Sequence, residues 1–237
     1  MKRVLLVDAV EAPAERKAHP LGSVEQWFGR YFNAERKVDL QVLPASSPVL
    51  ASAADAADGV IISGSPRDAW LDTPDVLEMM RFAQQRASSG QSILGVCFGH
   101  QLLARALGAD VRRNPARWEV GARKVELTSV GVNSLLFSGF DAEFVVMESH
   151  RDAVLTLPPG AQLLAANAHT PIQAFGVEDR MFGVQFHPEM SGDILRYVWA
   201  ERRDRLRGEM SFDLDKALDT ADAEASRIFH NFIAILP

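Results

Sequence analysis

The chain is written in short apolar runs, each closed by polar or glycine-bearing segments, and in its first hundred residues these runs alternate with stretches of helical period. Val4–Val7, Leu40–Leu43, Gly59–Ser63 and Ser92–Val96 are near-continuous in apolar character, the mark of strands covered on both faces. Between them, Pro74–Ala87 reads as a helix with Thr73 as N-cap, Pro74 at its first position, and Val76, Met80, Ala83 and Ala87 on one face. A second helix is predicted between Arg16 and Glu35, where Trp27, Phe28, Tyr31 and Phe32 serve as packing groups. From about Gly121 to Phe186 the texture turns strand-like: Ala122–Leu127, Glu143–Met147, Gln162–Ala166, Ile172–Val177 and Met181–Phe186, separated by turns such as Leu157-Pro158-Pro159-Gly160. After Pro188 helical spacing returns, with a last helix expected to start near Thr220 and to carry Ala225, Ile228, Phe229, Phe232 and Leu236 as an apolar stripe. The pattern predicts an α/β fold: an open, mainly parallel sheet with helices on both faces and a smaller antiparallel β portion. No linker, repeat or low-complexity block divides the chain, so a single domain over residues 1–237 is expected.

Composition narrows the function classes. A formal charge of −6 and a pI near 5.5 argue against a nucleic-acid binder. The densest charge run, Glu201–Arg207, mixes both signs and reads as a solvated helix face. No apolar run is long enough for a bilayer, and Val4–Val7 is too short for a secretory signal, so a cytoplasmic protein is expected. Cys97 is the sole cysteine, which excludes an intrachain disulfide and a thiolate metal cluster.

A lone cysteine is ordinarily a small buried hydrophobe. The surroundings of Cys97 set it apart. The strand-like Ser92–Val96 runs into Gly95-Val96-Cys97-Phe98-Gly99, then into helical Leu102–Leu107 and a terminating Gly108. Strand, sharp turn and helix with flanking glycines is the logic of a nucleophile elbow. It puts the sulfur at a helix start, where unpaired N–H groups and the helix dipole favour the attacking thiolate.

A thiol nucleophile needs a base, and the base needs an orienting carboxylate. Of six histidines, His187 closes the strand-like Phe182–Phe186, the strand end where doubly wound sheets present site residues. Glu189 follows across Pro188, close enough to bend back to the ring. His100 is read as packing or bonding locally, His150 as bordering the site, and His19, His169 and His230 as surface or structural groups.

Together these segments resemble the class I, triad-type glutamine amidotransferases. The resemblance rests on Gly95-Val96-Cys97-Phe98-Gly99-His100-Gln101, on Gly183-Val184-Gln185-Phe186-His187-Pro188-Glu189, and on Ile62-Ser63-Gly64-Ser65-Pro66, in the family's order. It implies a flavodoxin-like open sheet, Cys97 attacking a γ-glutamyl carbonyl, His187 moving protons and Glu189 orienting it. It also implies an oxyanion hole from the N–H groups of Gly64 and Phe98, and Gln101 as a glutamyl contact. Ser149, His150, Arg151 and Asp152 complete the expected substrate-binding set. Arg151 and Asp152 fit the α-carboxylate and α-ammonium of a glutamyl group, or equally a loop ion pair. No cofactor and no metal are implied. The expected partner is a small-molecule γ-glutamyl substrate; a separate synthase subunit and a homo-oligomer stay open, and neither nucleic acid nor membrane is expected.

Two departures shape the reading. Ser63-Gly64-Ser65-Pro66 stands where the family often has Gly-Gly-Pro, and no phosphate-cradling glycine motif accompanies the site. The sequence is therefore most similar to stand-alone members such as the γ-glutamyl peptidases, sharing Ser63–Ala69, the aromatic Trp27–Phe32 stretch and His150-Arg151-Asp152. Hydrolysis of a γ-glutamyl amide through a thioester is the leading expectation. A glutaminase subunit serving a separate synthase and a catalytically silent module of the same fold are the alternatives.

Overall fold

The structure, a computed structural model, describes residues 1–32, 38–203, 212–219 and 225–237. Four strands open the chain: β1 (Lys2–Asp8), β2 (Val38–Pro44), β3 (Gly59–Ile62) and β4 (Ser92–Val96). Helices α1 (Ala14–Lys17), α2 (Val24–Phe32), α3 (Leu50–Ala56), α4 (Pro74–Ser88) and α5 (Phe98–Ala106) accompany them. Then come β5 (Val111–Arg113), β6 (Glu119–Leu127), the short α6 (Ser129–Val132), β7 (Glu143–His150), β8 (Asp152–Val154), β9 (Gln162–Ala166), β10 (Ala174–Val177) and β11 (Met181–Val184). Helices α7 (Gly192–Ala200), α8 (Leu214–Leu218) and α9 (Arg227–Ile235) finish it.

One nine-stranded sheet runs in the order β2-β1-β3-β4-β11-β10-β9-β6-β7, and β5 pairs with β8 in a separate ribbon. From β2 to β11 neighbours are parallel; from β11 to β7 they are antiparallel. The parallel half explains the continuous apolar runs of β1, β3 and β4, which are buried on both faces, whereas β2, at the sheet edge, is only partly buried. In β1, Val4 and Leu6 join the core shared with α2, α7 and α9, whereas Leu5 and Val7 join the core under α3, α4 and α5. The apolar stripe of the last helix is buried as its spacing predicts, with Phe229 5.2–5.6 Å from Phe28, Tyr31 and Phe32. Burying each such ring is worth roughly 2 kcal/mol.

Several boundaries differ from expectation, each for a local reason. The helix expected between Arg16 and Glu35 is α2, which carries Trp27, Phe28, Tyr31 and Phe32; Pro20 and Gly22 separate it from the short α1, and a Cβ on Gly22 would lie 1.7 Å from the Arg16 carbonyl oxygen. Helix α2 then starts afresh on a capping box: Gln26 N–H donates to Ser23 Oγ at 3.2 Å and Ser23 N–H to Gln26 Oε1 at 3.0 Å. Thr73 sits at the N-cap of α4, but its hydroxyl meets Asp75 and caps no backbone N–H. The expected face of α4 packs on the core, with Val76 and Ala83 buried and Met80 and Ala87 partly buried, and Met79 and Phe82 widen it by i+3 steps. Strand β10 starts at Ala174, and its register against β9 shifts between Ala174 and Phe175. The expected helix start near Thr220, the Glu35 end, and residues 204–207 of the mixed-charge run lie outside the described residues. Among the described residues, no helix is long and apolar enough to cross a membrane.

Candidate active site

Strand β4 stays paired to its last residue, since the Cys97 N–H donates to the Val184 carbonyl of β11 at 2.9 Å. The chain then turns sharply into α5 at Cys97, whose φ of 51° and ψ of −101° are unusual for a residue with a side chain. A backbone held there costs on the order of 1–3 kcal/mol and persists only where its surroundings enforce it. The flanking glycines do so. A Cβ on Gly95 would lie 2.4 Å from the Gly99 carbonyl oxygen, and one on Gly99 would lie 2.2 Å from that of Ile62. Only glycine lets the first turn of α5 press this closely on β4 and β3.

His187 arrives from the adjacent β11. Its N–H donates to the Met147 carbonyl at 2.8 Å, and Met190 N–H closes a turn onto its carbonyl at 3.2 Å. Inside that turn Glu189 bends back, placing Oε1 2.6 Å from His187 Nδ1. Arg30 of α2 pins the turn from outside by donating to the Glu189 carbonyl at 2.6 Å. With Nδ1 committed to Glu189, Nε2 is the ring atom left for Cys97, with which the imidazole shares a hydrogen bond. Burial opposes the imidazolium, but the charges of Glu189 and Cys97 outweigh it and hold the His187 pKa well above the ordinary histidine value.

Gly64 closes the third side. A Cβ built there would sit 2.9 Å from His187 Cε1 and 3.6 Å from Cys97 Cβ. Its N–H has no acceptor among the described residues, and Phe98 opens α5, where an N–H has no intrahelical acceptor. Gly64→Ala is expected to push the imidazole off Cys97 and lower kcat about 100-fold with little change in Tm. Steady-state kinetics beside calorimetry checks this; an active Ala variant would mean the ring has room to retreat.

A cavity of about 310 Å³ opens beside Cys97, walled by Gln101, Trp118, Ser149, Arg151, Asp152 and Asp68. Gln101 commits its amide protons to the protein, donating to the Asp152 carbonyl at 2.8 Å and to Gln185 Oε1 at 3.0 Å. Ser149 Oγ accepts from Trp199 Nε1 at 3.0 Å. Arg151 lies 3.4 Å from Asp68 and 3.8 Å from Asp152, with its guanidinium 5.3 Å from the Trp118 ring centre. Arg151 and Asp152 form the loop ion pair, and both line the cavity. Burial, reinforced by the neighbouring Asp68, raises Asp152 to about 6, while Trp70 Nε1 donates to its Oδ2 at 3.0 Å.

His150 does border the cavity beside Cys97, but as a buried side chain, 3% exposed with both ring nitrogens engaged. Nε2 lies 3.2 Å from Glu119 and 3.2 Å from Glu148, carboxylates that the sequence reading missed. Their only signal is cross-strand: Glu119 lies directly opposite His150 in the β6–β7 ladder, and Glu148 precedes it on the same face. Burial opposes charge on His150, but the two carboxylates prevail and its pKa is pushed up to about 10. A folded-state pKa raised from the ordinary 6.5 contributes stability fully present below pH 6.5 and lost as pH rises through about 10. Unfolding free energy is expected to fall across that window by at most about 1.4 kcal/mol per pH unit from this proton, and His150→Asn to flatten the decline in denaturant titrations. Of the remaining histidines, His100 is fully buried with its ring 5.1 Å from Phe175, and burial lowers it to about 3. His19 stacks on Tyr197 at 4.3 Å, His169 contacts Glu119 at 3.3 Å, and His230 is exposed.

A mixed sheet whose parallel half carries a strained cysteine at a strand–helix elbow, with a histidine–carboxylate pair just past the end of the adjacent strand, is the arrangement of a thiol-centred site. The chain belongs to the class I glutamine amidotransferases: the family model "Glutamine amidotransferase class-I" matches residues 21–196. It is 38% identical over 151 residues to a glutamine-hydrolyzing GMP synthase of Aeropyrum pernix, covering 63% of this chain and 28% of that protein. It is 31% identical over 144 residues to gamma-glutamyl peptidase 3 of Arabidopsis thaliana, covering 60% of this chain and 58% of the peptidase. The chain thus spans less than two thirds of either relative. In fold it is similar to a glutamine amidotransferase of Thermotoga maritima, with a TM-score of 0.75, 21% identity and coverage of 99% and 96% of the two chains.

Proposed function

We propose that this protein hydrolyses a γ-glutamyl amide, glutamine or a γ-glutamyl peptide, through a thioester on Cys97. The observation that carries the reading is the linkage of Cys97, His187 and Glu189 across two neighbouring strands, with 2.6 Å between the last two. Cys97 as thiolate adds to the γ-carbonyl carbon. The developing oxyanion is met by the N–H groups of Gly64 and Phe98; a single such donor is typically worth about 3 kcal/mol. His187 as imidazolium gives its proton to the departing nitrogen as the C–N bond breaks, leaving the γ-glutamyl thioester. The now neutral ring takes a proton from water, the hydroxide adds to the thioester, and the C–S bond breaks to release glutamate and restore the ion pair. Glu189 holds the ring orientation throughout.

In this reading the cavity walls recognise the amino-acid end of the substrate. Arg151 faces the α-carboxylate, and the Asp68–Asp152 pair faces the α-ammonium, whose positive charge relieves the repulsion that raises Asp152. Glutamate and ammonia release from glutamine, measured beside cleavage of a γ-glutamyl dipeptide, tests the proposal on the purified chain. Turnover of either, with unreacted α-glutamyl dipeptide as control, is the expected result. Silence on both from folded protein would overturn autonomous activity.

The likeness to GMP synthases supports a second reading, a glutaminase subunit that works only with an ATP-using synthase. Stoichiometric co-purification of such a partner, together with glutaminase activity restored by it, favours this reading over the first. Slow alkylation of Cys97 by iodoacetamide at neutral pH would favour a silent module over both.

A further inference from the structure

The chain leaves the nine-stranded sheet at His150, the last residue of β7, and enters the small ribbon at Asp152, the first residue of β8. A single residue, Arg151, makes the crossover, and the segment Ser149–Asp152 forms one wall of the cavity beside Cys97. Such an abrupt change of sheet leaves carbonyls without ladder partners. The His150 ring spans the break: its Nδ1–H donates to the Asp152 carbonyl at 2.9 Å, and that carbonyl also accepts from Gln101 Nε2 at 2.8 Å. On its far side Nε2 faces Glu119 and Glu148, each at 3.2 Å. Glu119 is itself fixed by Asn167 at 2.7 Å, Thr170 at 2.9 Å and Gln173 at 3.2 Å. Glu148 has no aligned hydrogen bond among the described residues, and all three members of the cluster are 3% exposed or less. A ring gripped from both ends in a closed interior cannot turn without breaking one of these contacts.

We propose that His150 is a positioning residue: gripped between Glu119 and Glu148 on one side and the Asp152 carbonyl on the other, it locks that carbonyl, and through it Gln101, in the geometry that binds the glutamyl group. This rests on the function proposed above. The hydrogen bonds of the His150 ring run to the cavity wall and, through the Asp152 carbonyl, to Gln101, so its loss is expected to act chiefly on binding, although Glu148 also feels the charge of His187. The rival occupant is a divalent cation, since the ligand atoms of Glu119, Glu148 and His150 lie within 4.8 Å of one another. A cation would take the Nε2 lone pair and leave that nitrogen unprotonated.

His150→Ala and His150→Asn separate these roles, because asparagine keeps a donor near the Nδ1 position while alanine removes it. For a γ-glutamyl dipeptide, His150→Ala is expected to raise KM about tenfold or more with kcat within about threefold. His150→Asn is expected to recover part of that loss, and Cys97 to alkylate at the wild-type rate in both. Amide hydrogen exchange in residues 149–154 is expected to quicken in the alanine variant relative to wild type. Unchanged KM, or unchanged exchange in that segment, would overturn the proposal, as would one equivalent of a divalent metal by elemental analysis of the wild-type protein. If the alanine variant does not fold, Glu148→Gln carries the test: a severalfold rise in KM supports the clamp and a wild-type KM overturns it. Should the wild-type chain turn over no γ-glutamyl amide, the proposed function falls while the exchange comparison still decides the clamp.

Discussion

Alanine at position 97 is expected to abolish γ-glutamyl hydrolysis, a loss of at least about 10⁴-fold, with the fold intact. The size follows from the role: with the sulfur gone, the hydroxyls of Ser65 and Ser149 that share its cavity lack a thiol's acidity, and what remains is catalysis by binding and the oxyanion donors. Serine is expected to fare almost as poorly, because its hydroxyl stays protonated where a thiol gives up its proton. A second readout tests the pairing directly. The Cys97 charge helps to raise His187, so in Cys97→Ala the imidazole should titrate at lower pH than in wild type, as followed by NMR of the ring. An unshifted ring would mean that sulfur and imidazole are not electrostatically paired, and the mechanism would fail with it.

Legibility from the amino-acid order divides along a physical line. Features set by neighbours in sequence were readable: the apolar runs of β1 to β4, the elbow glycines around Cys97, and the two-residue reach of Glu189 back to His187. Helix bounds are set just as locally: Pro20 and Gly22 part α1 from α2, and the Ser23–Gln26 capping box starts α2. Contacts between distant segments left weaker traces. Glu119 and Glu148 look like ordinary strand acids until the β6–β7 register sets them against His150. Asp68 is one acid in a polar loop until the fold brings it beside Asp152, 84 positions away. The β5–β8 ribbon is of the same kind, because three-residue strands carry too little periodicity to announce themselves.

The asymmetry bears on how the site works. In the proposed mechanism the reacting residues sit on main chain dictated locally: a strained elbow that two glycines permit, and a turn closed by Met190 N–H. The cavity wall proposed to bind substrate is assembled from remote pieces, Asp68 before α4, Gln101 on α5, and Ser149 to Asp152 at the sheet crossover. On this reading chemistry and specificity are carried by separable parts. A family can keep the first while exchanging the second, which accords with this chain's likeness to both a GMP synthase and a γ-glutamyl peptidase.

Glu189→Gln probes the reacting part at its least exposed point. The carboxylate is 1% exposed and Oε1 lies 2.6 Å from His187 Nδ1, so the isosteric amide preserves shape and removes charge. Two consequences follow. A glutamine amide that presents its NH₂ to Nδ1 turns that atom into an acceptor and shifts the ring proton to Nε2, the wrong tautomer for taking a proton there; the matching change in a serine triad costs about 10⁴-fold in kcat. A loss of about 10³-fold or more is expected here. The second consequence has a sign. Glu189 is the largest of the influences raising His187, so its charge keeps the imidazolium, and the ion pair with Cys97, intact to higher pH. Without it the ring deprotonates earlier, and the alkaline limb of residual activity should move to lower pH. A pH–rate profile of kcat/KM for wild type and variant measures both effects. A limb that stays in place, or moves to higher pH, would show that Glu189 only shapes the turn and does not set the charge of His187.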